Sequence, residues 1–300
     1  MSEGIAPTLD ELVALRRAVQ GRRPPRLGRH GLSGQARSPI RGRGMEYAES
    51  REYAQGDDAR HIDWRLTART GRTHTKLFQA ERERLTLIVA DTAPTLYFGT
   101  RVRFKSVQAA RAGAVAAWAA VRDGDRIAAL RGAAREAPVV PAAGTRGALR
   151  ALDALVRWYA HPPEDDAGFA VALDRADRLA RPGTRLLLLA DPQSVLAVPA
   201  ARWPTLVQHR EAIALLLCDP LERDPPRAQL PFRIDAEGGE RRIELDLAGE
   251  TQRTRWQAAF AQPIEEALQA LARGGVRARV LSTDEPSEAW LGLLGGARAA

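Results

Sequence analysis

The chain has 300 residues, of which 45% are hydrophobic, and a formal net charge of +8. This length and composition allow a large buried core, so an intrinsically disordered protein is excluded, and no apolar run approaches the roughly 18 residues that cross a membrane. Almost all the positive charge comes from arginine, which weakens the inference of nucleic-acid binding that a basic protein invites. The N-terminus lacks the basic and then apolar order of a secretory signal, so we expect a cytoplasmic protein.

Residues 1–43 are predicted to form an N-terminal helix and a basic arm. Thr8, followed by Glu11 three positions later, is typical of a capping box that starts a helix over Thr8–Val19. From Arg16 to Arg43 there are nine arginines, three prolines, five glycines and no acid, which disfavours regular structure. The arm is interpreted as a solvated linker, with docking on an acidic partner or on a membrane surface as the alternative.

The remainder of the chain alternates buried strands with helices. Three continuous apolar runs, each ending in an aspartate, predict buried strands at Leu85–Asp91, Arg185–Asp191 and Ala212–Asp219. The other predicted elements are strands at Arg126–Leu130 and Val276–Ser282, a hairpin at about 230–248, and helices at Lys105–Val121, Gly144–Tyr159, Gly168–Ala180, Pro199–Gln208, Glu250–Arg273 and Glu285–Leu294. This order predicts an α/β fold with a doubly wound, mostly parallel sheet over residues 85–300.

The strand-end aspartates predict where a ligand would bind. In open α/β sheets, ligands bind outside the carboxyl ends of the strands, and Asp91, Asp191 and Asp219 all follow such ends. Neither GxGxxG nor GxxxxGK[ST] occurs in the chain, which disfavours nucleotide binding. We therefore expect the working surface at this edge, beginning at Asp91.

Residues 44–84 form a signature segment that is expected to pack on the main domain. Within it, REYAQGDDARHIDWRLTAR mixes opposite charges with aromatic side chains. The residues singled out are Arg51, Tyr53, Gly56, Asp57, Asp58, Arg60, Asp63, Trp64 and Arg69. Carboxylate–guanidinium pairs fix geometry, and Ile62 and Trp64 are expected to anchor the segment, so the pattern favours a structural buttress. The alternative is a contact surface for a partner.

Two further functions remain open at this stage. Asp57, Asp58, His61 and Asp63 could form a hard-metal cluster of a hydrolase or nuclease, although four arginines in the same stretch compete for the carboxylates. The basic arm at Arg16–Arg43 could instead bind nucleic acid through phosphate contacts.

The signature resembles that of the bacterial family catalogued as domain of unknown function 58. The resemblance is carried by Arg-x-Tyr-x-x-Gly-Asp-Asp-x-Arg-x-Ile-Asp-Trp from Arg51 to Trp64, and it continues through Lys76, Asp91, Thr95 and Lys105. It implies a von Willebrand factor A-type fold and a MoxR-type AAA+ ATPase as partner, because such ATPases are typically encoded beside family members. No enzymatic reaction is established for the family as a whole.

The resemblance also implies a metal-ion-dependent (MIDAS-like) site. Such folds hold one divalent cation with a strand-end Asp-x-Ser-x-Ser, a threonine on a second loop and a later aspartate. The corresponding residues are Asp91, Thr95, Thr145 and Asp191, while Ala93 supplies no oxygen where the first serine is expected. Mg²⁺ tolerates water ligands, so a site completed by water and a site without metal both remain open.

These considerations predict a protein-interaction module rather than an enzyme. Its contact loops would be Asp91–Gly99, Gly144–Arg146 and Asp191–Ser194, with Mg²⁺ as the candidate cofactor. By resemblance, it would act with a MoxR-type ATPase as an adaptor in the assembly or maturation of other proteins.

Overall fold

The computed structural model describes residues 4–20, 45–80, 84–236 and 239–294. The chain divides into two compact units, one of Met1–Arg26 with Arg84–Ala300 and one of Leu27–Glu83. Most of the predicted basic arm lies outside the described residues. Its first five residues, Arg16–Gln20, form a short helix, which agrees with the helix predicted as far as Val19 and contradicts the expectation of no regular structure from Arg16 onward.

The strands and helices are numbered in chain order. The strands are β1 Met45–Glu52, β2 His74–Ala80, β3 Leu85–Ala90, β4 Arg126–Arg131, β5 Val139–Ala143, β6 Arg185–Ala190, β7 Glu211–Cys218, β8 Gln229–Ala236, β9 Gly239–Asp246 and β10 Arg277–Ser282. The helices are α1 Leu9–Ala14, α2 Arg16–Gln20, α3 Trp64–Thr70, α4 Lys105–Asp123, α5 Gly144–Tyr159, α6 Phe169–Leu179, α7 Pro192–Leu196, α8 Arg202–Val207, α9 Pro220–Arg223, α10 Glu250–Trp256 and α11 Gln262–Arg273.

The larger unit is built on a sheet of six strands in the order β10-β7-β6-β3-β4-β5. The first five run parallel, and β5 pairs antiparallel with β4 at the edge. Strand β3 lies between β6 and β4, and its residues from Thr86 to Ala90 are all buried. A strand covered on both faces needs an uninterrupted apolar run, which is what LTLIVA provides. The predicted doubly wound, mostly parallel sheet is confirmed, and it is consistent with a von Willebrand factor A-like or Rossmann-like fold.

Helices cover both faces of this sheet. One face packs against α4 and α5, and most of the alanine-rich α4 is buried. The opposite face packs against α6, α8 and α11. The N-terminal helix joins the first layer, because Leu12 is fully buried and the Trp118 indole donates to its carbonyl oxygen at 3.0 Å. Among the described residues, no helix is both long enough and apolar enough to span a bilayer.

The elements that differ from the sequence expectation include one strand and two helices. Strand β5 was not predicted, and it contains Pro141, which an edge strand tolerates because one side of it needs no ladder donor. The helix predicted over Glu250–Arg273 is interrupted by a π-helical turn at Gln257–Ala261, just before Pro263, which lacks the amide donor that an α-helix interior needs. The last predicted helix is reduced to a 3₁₀ turn at Ala289–Leu293.

The predicted hairpin is confirmed as β8 and β9, which pair antiparallel from Gln229 with Asp246 to Ala236 with Gly239. Its turn residues 237–238 lie outside the described residues. Near its base, Phe232 and Phe260 both pack against Trp256 with tilted rings, whose centroids are 5.5 and 4.4 Å from that of the indole. This small second core anchors the hairpin to α10 and the π-helical turn.

Candidate functional site at the carboxyl edge of the sheet

Asp91 joins the ends of two central strands. It follows β3, its side chain accepts a hydrogen bond from the Asp191 amide at 3.0 Å, and its other oxygen accepts from the Ala93 amide at 3.0 Å. Asp91 is only 1% exposed. Burial raises its pKa to about 6, although the two amides and the Ser194 side chain oppose that rise. The carboxyl ends of β3 and β6 are therefore held together by this carboxylate.

Asp191 and a buried lysine form the next part of the site. One oxygen of Asp191 caps α7 by accepting from the Gln193 amide at 2.9 Å. The other accepts from Lys105 Nζ at 2.8 Å, and the same ammonium donates to Glu222 Oε1 at 2.7 Å. Lys105 is 2% exposed. Burial alone would lower its pKa, but Glu222 and Asp191 outweigh that effect and raise it, so the ammonium stays charged. We call Asp91, Asp191, Lys105 and Glu222 the edge network.

Asp219 closes the edge on the other side of this network. It is fully buried, and its carboxylate accepts from the Thr100 amide at 3.0 Å, the Thr100 hydroxyl at 2.6 Å, the Thr283 hydroxyl at 2.8 Å and the Leu221 amide at 3.0 Å. The Glu222 side chain accepts a hydrogen bond from the Asp219 amide at 2.8 Å, which completes a capping box. Asp219 therefore fixes the loops after β3 and β10.

A small cleft opens beside the edge network. It has a volume of about 30 Å³, and its lining includes Thr95, Lys105, Asp191, Gln193 and Phe260. That volume suits a water molecule, whereas pockets for organic ligands span about 300–1,000 Å³. The cleft does not provide a pocket for a small organic substrate.

Thr145 lies at the opposite edge of the sheet. Strand β5 is antiparallel, and its last residue, Ala143, pairs with Arg126, which itself pairs with Leu85 at the start of β3. Helix α5, with Thr145, begins there. The structure therefore separates Thr145 and the loop Gly144–Arg146 from Asp91, and the prediction that they share one surface is wrong.

The loop before α6, and not the loop of Thr145, lies near Asp91. It contributes Asp166, which accepts from the Thr92 hydroxyl at 2.9 Å. Sequence reasoning missed this residue. It also gave no role to Lys105 or Glu222. One signal was available for Lys105, because a lysine stands there at the start of an otherwise alanine-rich apolar helix.

The donor set does not fit the Mg²⁺ site that the resemblance implies. Asp91 and Asp191 have their oxygens engaged by amides and by an ammonium, Ala93 offers no side-chain oxygen, and Thr145 is at the other edge. Two of the four predicted ligands, Thr95 and Asp191, line the cleft. Within the described ranges, no group of three or more His, Cys, Asp or Glu residues could hold a metal ion.

In the smaller unit, Asp57 organises the turn that follows β1. Its carboxylate pairs with Arg51 at 2.6 Å and accepts from the Ala54 amide at 2.9 Å, while Tyr53 donates its hydroxyl proton to the Asp57 carbonyl at 3.1 Å. Gly56 has a φ of +107°, which a residue with a side chain rarely adopts. The Ala54 amide is the main reason that the pKa of Asp57 lies below its usual value.

Asp58 and Asp63 cap two other turns. Asp58 accepts from the Arg60 amide at 3.0 Å and pairs with the Arg60 guanidinium at 3.1 Å. Asp63 caps α3 by accepting from the Leu66 amide at 3.1 Å, and it also accepts from the Ser50 hydroxyl at 3.2 Å. These hydrogen bonds hold both carboxyl pKa values below their usual range. The three aspartates of the signature thus stabilise separate local turns.

Trp64 lies at the surface of the smaller unit. Its side chain is 70% exposed, and Arg69 on the same helix is also exposed. Ile62, in contrast, is partly buried and forms a β-bridge with Thr75. His61 lies in the 3₁₀ turn between the Asp58 and Asp63 caps. The local structure therefore supports the buttress interpretation for the charged residues, whereas Trp64 remains available at the surface.

Comparison with known proteins places the chain in a family. A family model described as protein of unknown function DUF58 matches residues 49–266. Uncharacterized proteins of Mycobacterium bovis and Mycobacterium tuberculosis are 31% identical over 204 residues, which are 67% of this chain and 63% of those relatives. The match thus spans less than two thirds of the relatives' length. The family match includes the signature turns, five of the six strands of the central sheet and the edge network, and the chain belongs to the DUF58 family.

Proposed function

We propose that the chain is a non-enzymatic protein-interaction module whose contact surface is the carboxyl edge of the central sheet. The observation that carries this proposal is the closed edge network. The carboxylates of Asp91, Asp191 and Glu222 each bind an amide, and the last two also share the Lys105 ammonium. Groups that are already hydrogen-bonded in this way shape and stiffen a surface, and the adjoining cleft of about 30 Å³ has no room for an organic substrate.

The loops around the network supply surface suited to a protein partner. Thr95 and Gln193 are exposed at the cleft. Val102, on the loop after β3, and Leu196, at the end of α7, are 50% and 38% exposed. Apolar side chains among polar ones on a rigid frame are typical of protein–protein interfaces. A partner that covers Thr95 would bury this edge without displacing the network.

The partner we propose is a MoxR-type AAA+ ATPase in the cytoplasm. This choice rests on the family, whose members are typically encoded beside such ATPases. The chain would act as an adaptor in the assembly or maturation of other proteins. The hydrolase alternative receives no support from the signature, because Asp57, Asp58 and Asp63 serve separate turns.

A binding titration with paired threonine variants tests the proposal. Thr95→Arg places a long charged side chain at the cleft, and Thr145→Arg makes the same change at the opposite edge. The ATPase should bind Thr95→Arg at least about tenfold more weakly than wild type, which is about 1.4 kcal/mol, and should bind Thr145→Arg normally. Equal binding of both variants, or no binding of the wild type, contradicts the proposal.

A nuclease and phosphatase panel with Mg²⁺ or Mn²⁺ tests the non-enzymatic part. We expect no turnover. Activity that disappears in Asp58→Ala and Asp63→Ala would establish the hydrolase alternative instead.

A further inference from the structure

We infer that Lys105 is the resident cation of the carboxyl edge: its ammonium lies between the Asp191 and Glu222 carboxylates and neutralises them, so this edge works without metal. The inference goes beyond the proposed function. It concerns the group that neutralises the buried carboxylates of the edge network, and it does not depend on which partner binds there.

The geometry around the ammonium is that of a bound cation. Lys105 Nζ lies 2.8 Å from Asp191 Oδ2 and 2.7 Å from Glu222 Oε1, and the three side chains are 2%, 4% and 9% exposed. The remaining carboxylate oxygens accept from backbone amides, those of Gln193 and Asp219. Both carboxylates are thereby aimed at one point, and the ammonium fills it.

The backbone of Lys105 is held in place by a helix start and a hydrogen bond. Lys105 is the first residue of α4, and its amide donates to the Phe98 carbonyl at 2.8 Å. The two carboxylates come from the segments that directly follow β6 and β7, which are neighbours in the sheet. An ammonium has three donors, so one remains for solvent in the cleft that Lys105 lines.

A metal ion and this ammonium exclude each other. Mg²⁺ binds oxygen at about 2.1 Å, so an ion on Asp191 Oδ2 would lie within a few ångströms of Nζ, where like charges in a buried site repel strongly. Without the lysine, the position that Nζ occupies is left 2.8 Å from Asp191 Oδ2 and 2.7 Å from Glu222 Oε1. These distances are close to the 2.3–2.6 Å between Ca²⁺ and its oxygen ligands. Removal of the ammonium should therefore create a cation site.

Two lysine variants and the wild type test this inference on the full chain after EDTA treatment. Lys105→Ala opens space at the vacated point, whereas Lys105→Met fills it with an apolar side chain. Thermal unfolding is followed with added Ca²⁺ or Mg²⁺, and terbium luminescence reports cation binding directly. We expect no metal-dependent rise in Tm for wild type or Lys105→Met. For Lys105→Ala we expect Ca²⁺ to raise Tm and to bind at least about tenfold more tightly than to wild type.

Two results would overturn the inference. One is a rise in wild-type Tm with Mg²⁺ that is lost in Asp191→Asn. The other is a folded Lys105→Ala that binds Ca²⁺ no better than wild type does. If Lys105→Ala folds only in Ca²⁺, that dependence supports the inference. If it does not fold at all, the wild-type titration decides alone. A failed ATPase titration leaves the inference standing, because no partner is needed here.

Discussion

Replacement of Lys105 by methionine should destabilise the larger unit strongly at neutral pH. Methionine keeps the length and apolar character of the lysine stem, so the change in packing is small. The variant leaves Asp191 and Glu222, which are 3% and 7% exposed, without their cation. Breaking a buried ion pair by removing one partner costs about 3–5 kcal/mol. That is a large share of the 5–15 kcal/mol that stabilises a typical domain.

Urea unfolding of wild type and variant measures this cost, and Lys76→Met provides the control. Lys76 is the other lysine of the chain and is only partly buried, so its replacement should change the free energy of unfolding by less than about 1 kcal/mol. The cost of Lys105→Met should also shrink between pH 7 and pH 5. Burial raises the pKa of Glu222 even beside Lys105, and without the ammonium nothing on that side opposes the rise, so the buried carboxyl loses its penalty when it is protonated. A loss equal to that of Lys76→Met, or one independent of pH, would refute the reasoning.

Three further predictions concern other buried or partly buried residues of the larger unit. Burial raises the pKa of Asp91 to about 6 from 3.8, so ionisation of the folded protein lowers its stability as pH rises from about 4 to above 6. Asp91→Asn lacks this ionisation. Over that pH range its free energy of unfolding should therefore rise by about 3 kcal/mol relative to wild type, measured by chemical denaturation. Burial alone would raise the pKa of Glu211, but its contacts with three arginines outweigh that effect and lower it. Glu211→Gln should therefore reduce the free energy of unfolding by about 2 kcal/mol at pH 7, and the difference from wild type should vanish as pH falls below 4. A Cβ at Gly132 would lie 1.9 Å from the Gly168 carbonyl oxygen, so Gly132→Ala should lower the free energy of unfolding by about 1–3 kcal/mol or more, measured by chemical denaturation. Gly292→Ala serves as the control, because a Cβ there meets nothing within 4 Å.

The sequence pattern predicted the centre of the fold well. Strands β3, β6 and β7 are continuous apolar runs because helices cover both faces of the sheet, and a continuous run is visible without knowledge of the partners. Strand β5 escaped detection because it is short, partly exposed and interrupted by Pro141. An edge strand is under weaker constraints, so its sequence carries a weaker signal.

The candidate site was predicted only in part, for a physical reason. Asp91 and Asp191 follow buried strands, so their approach could be inferred from strand direction. Lys105 meets Asp191 and Glu222 across separations of 86 and 117 residues, which no local pattern encodes. Thr145 was misplaced because the local Gly-Thr motif indicates a helix start but not the direction of the strand before it. The antiparallel direction of β5 decides which edge that helix start occupies.

The affinity of a MoxR-type AAA+ ATPase for the wild type and for Thr95→Arg, titrated both in EDTA and in Mg²⁺, tests the central claim most directly. If the carboxyl edge is a contact surface with Lys105 as its cation, the wild type should bind equally well in EDTA and in Mg²⁺. Thr95→Arg should bind at least about tenfold more weakly in both. Binding that requires Mg²⁺ would contradict the role of Lys105, and binding that Thr95→Arg leaves unchanged would contradict the location of the surface.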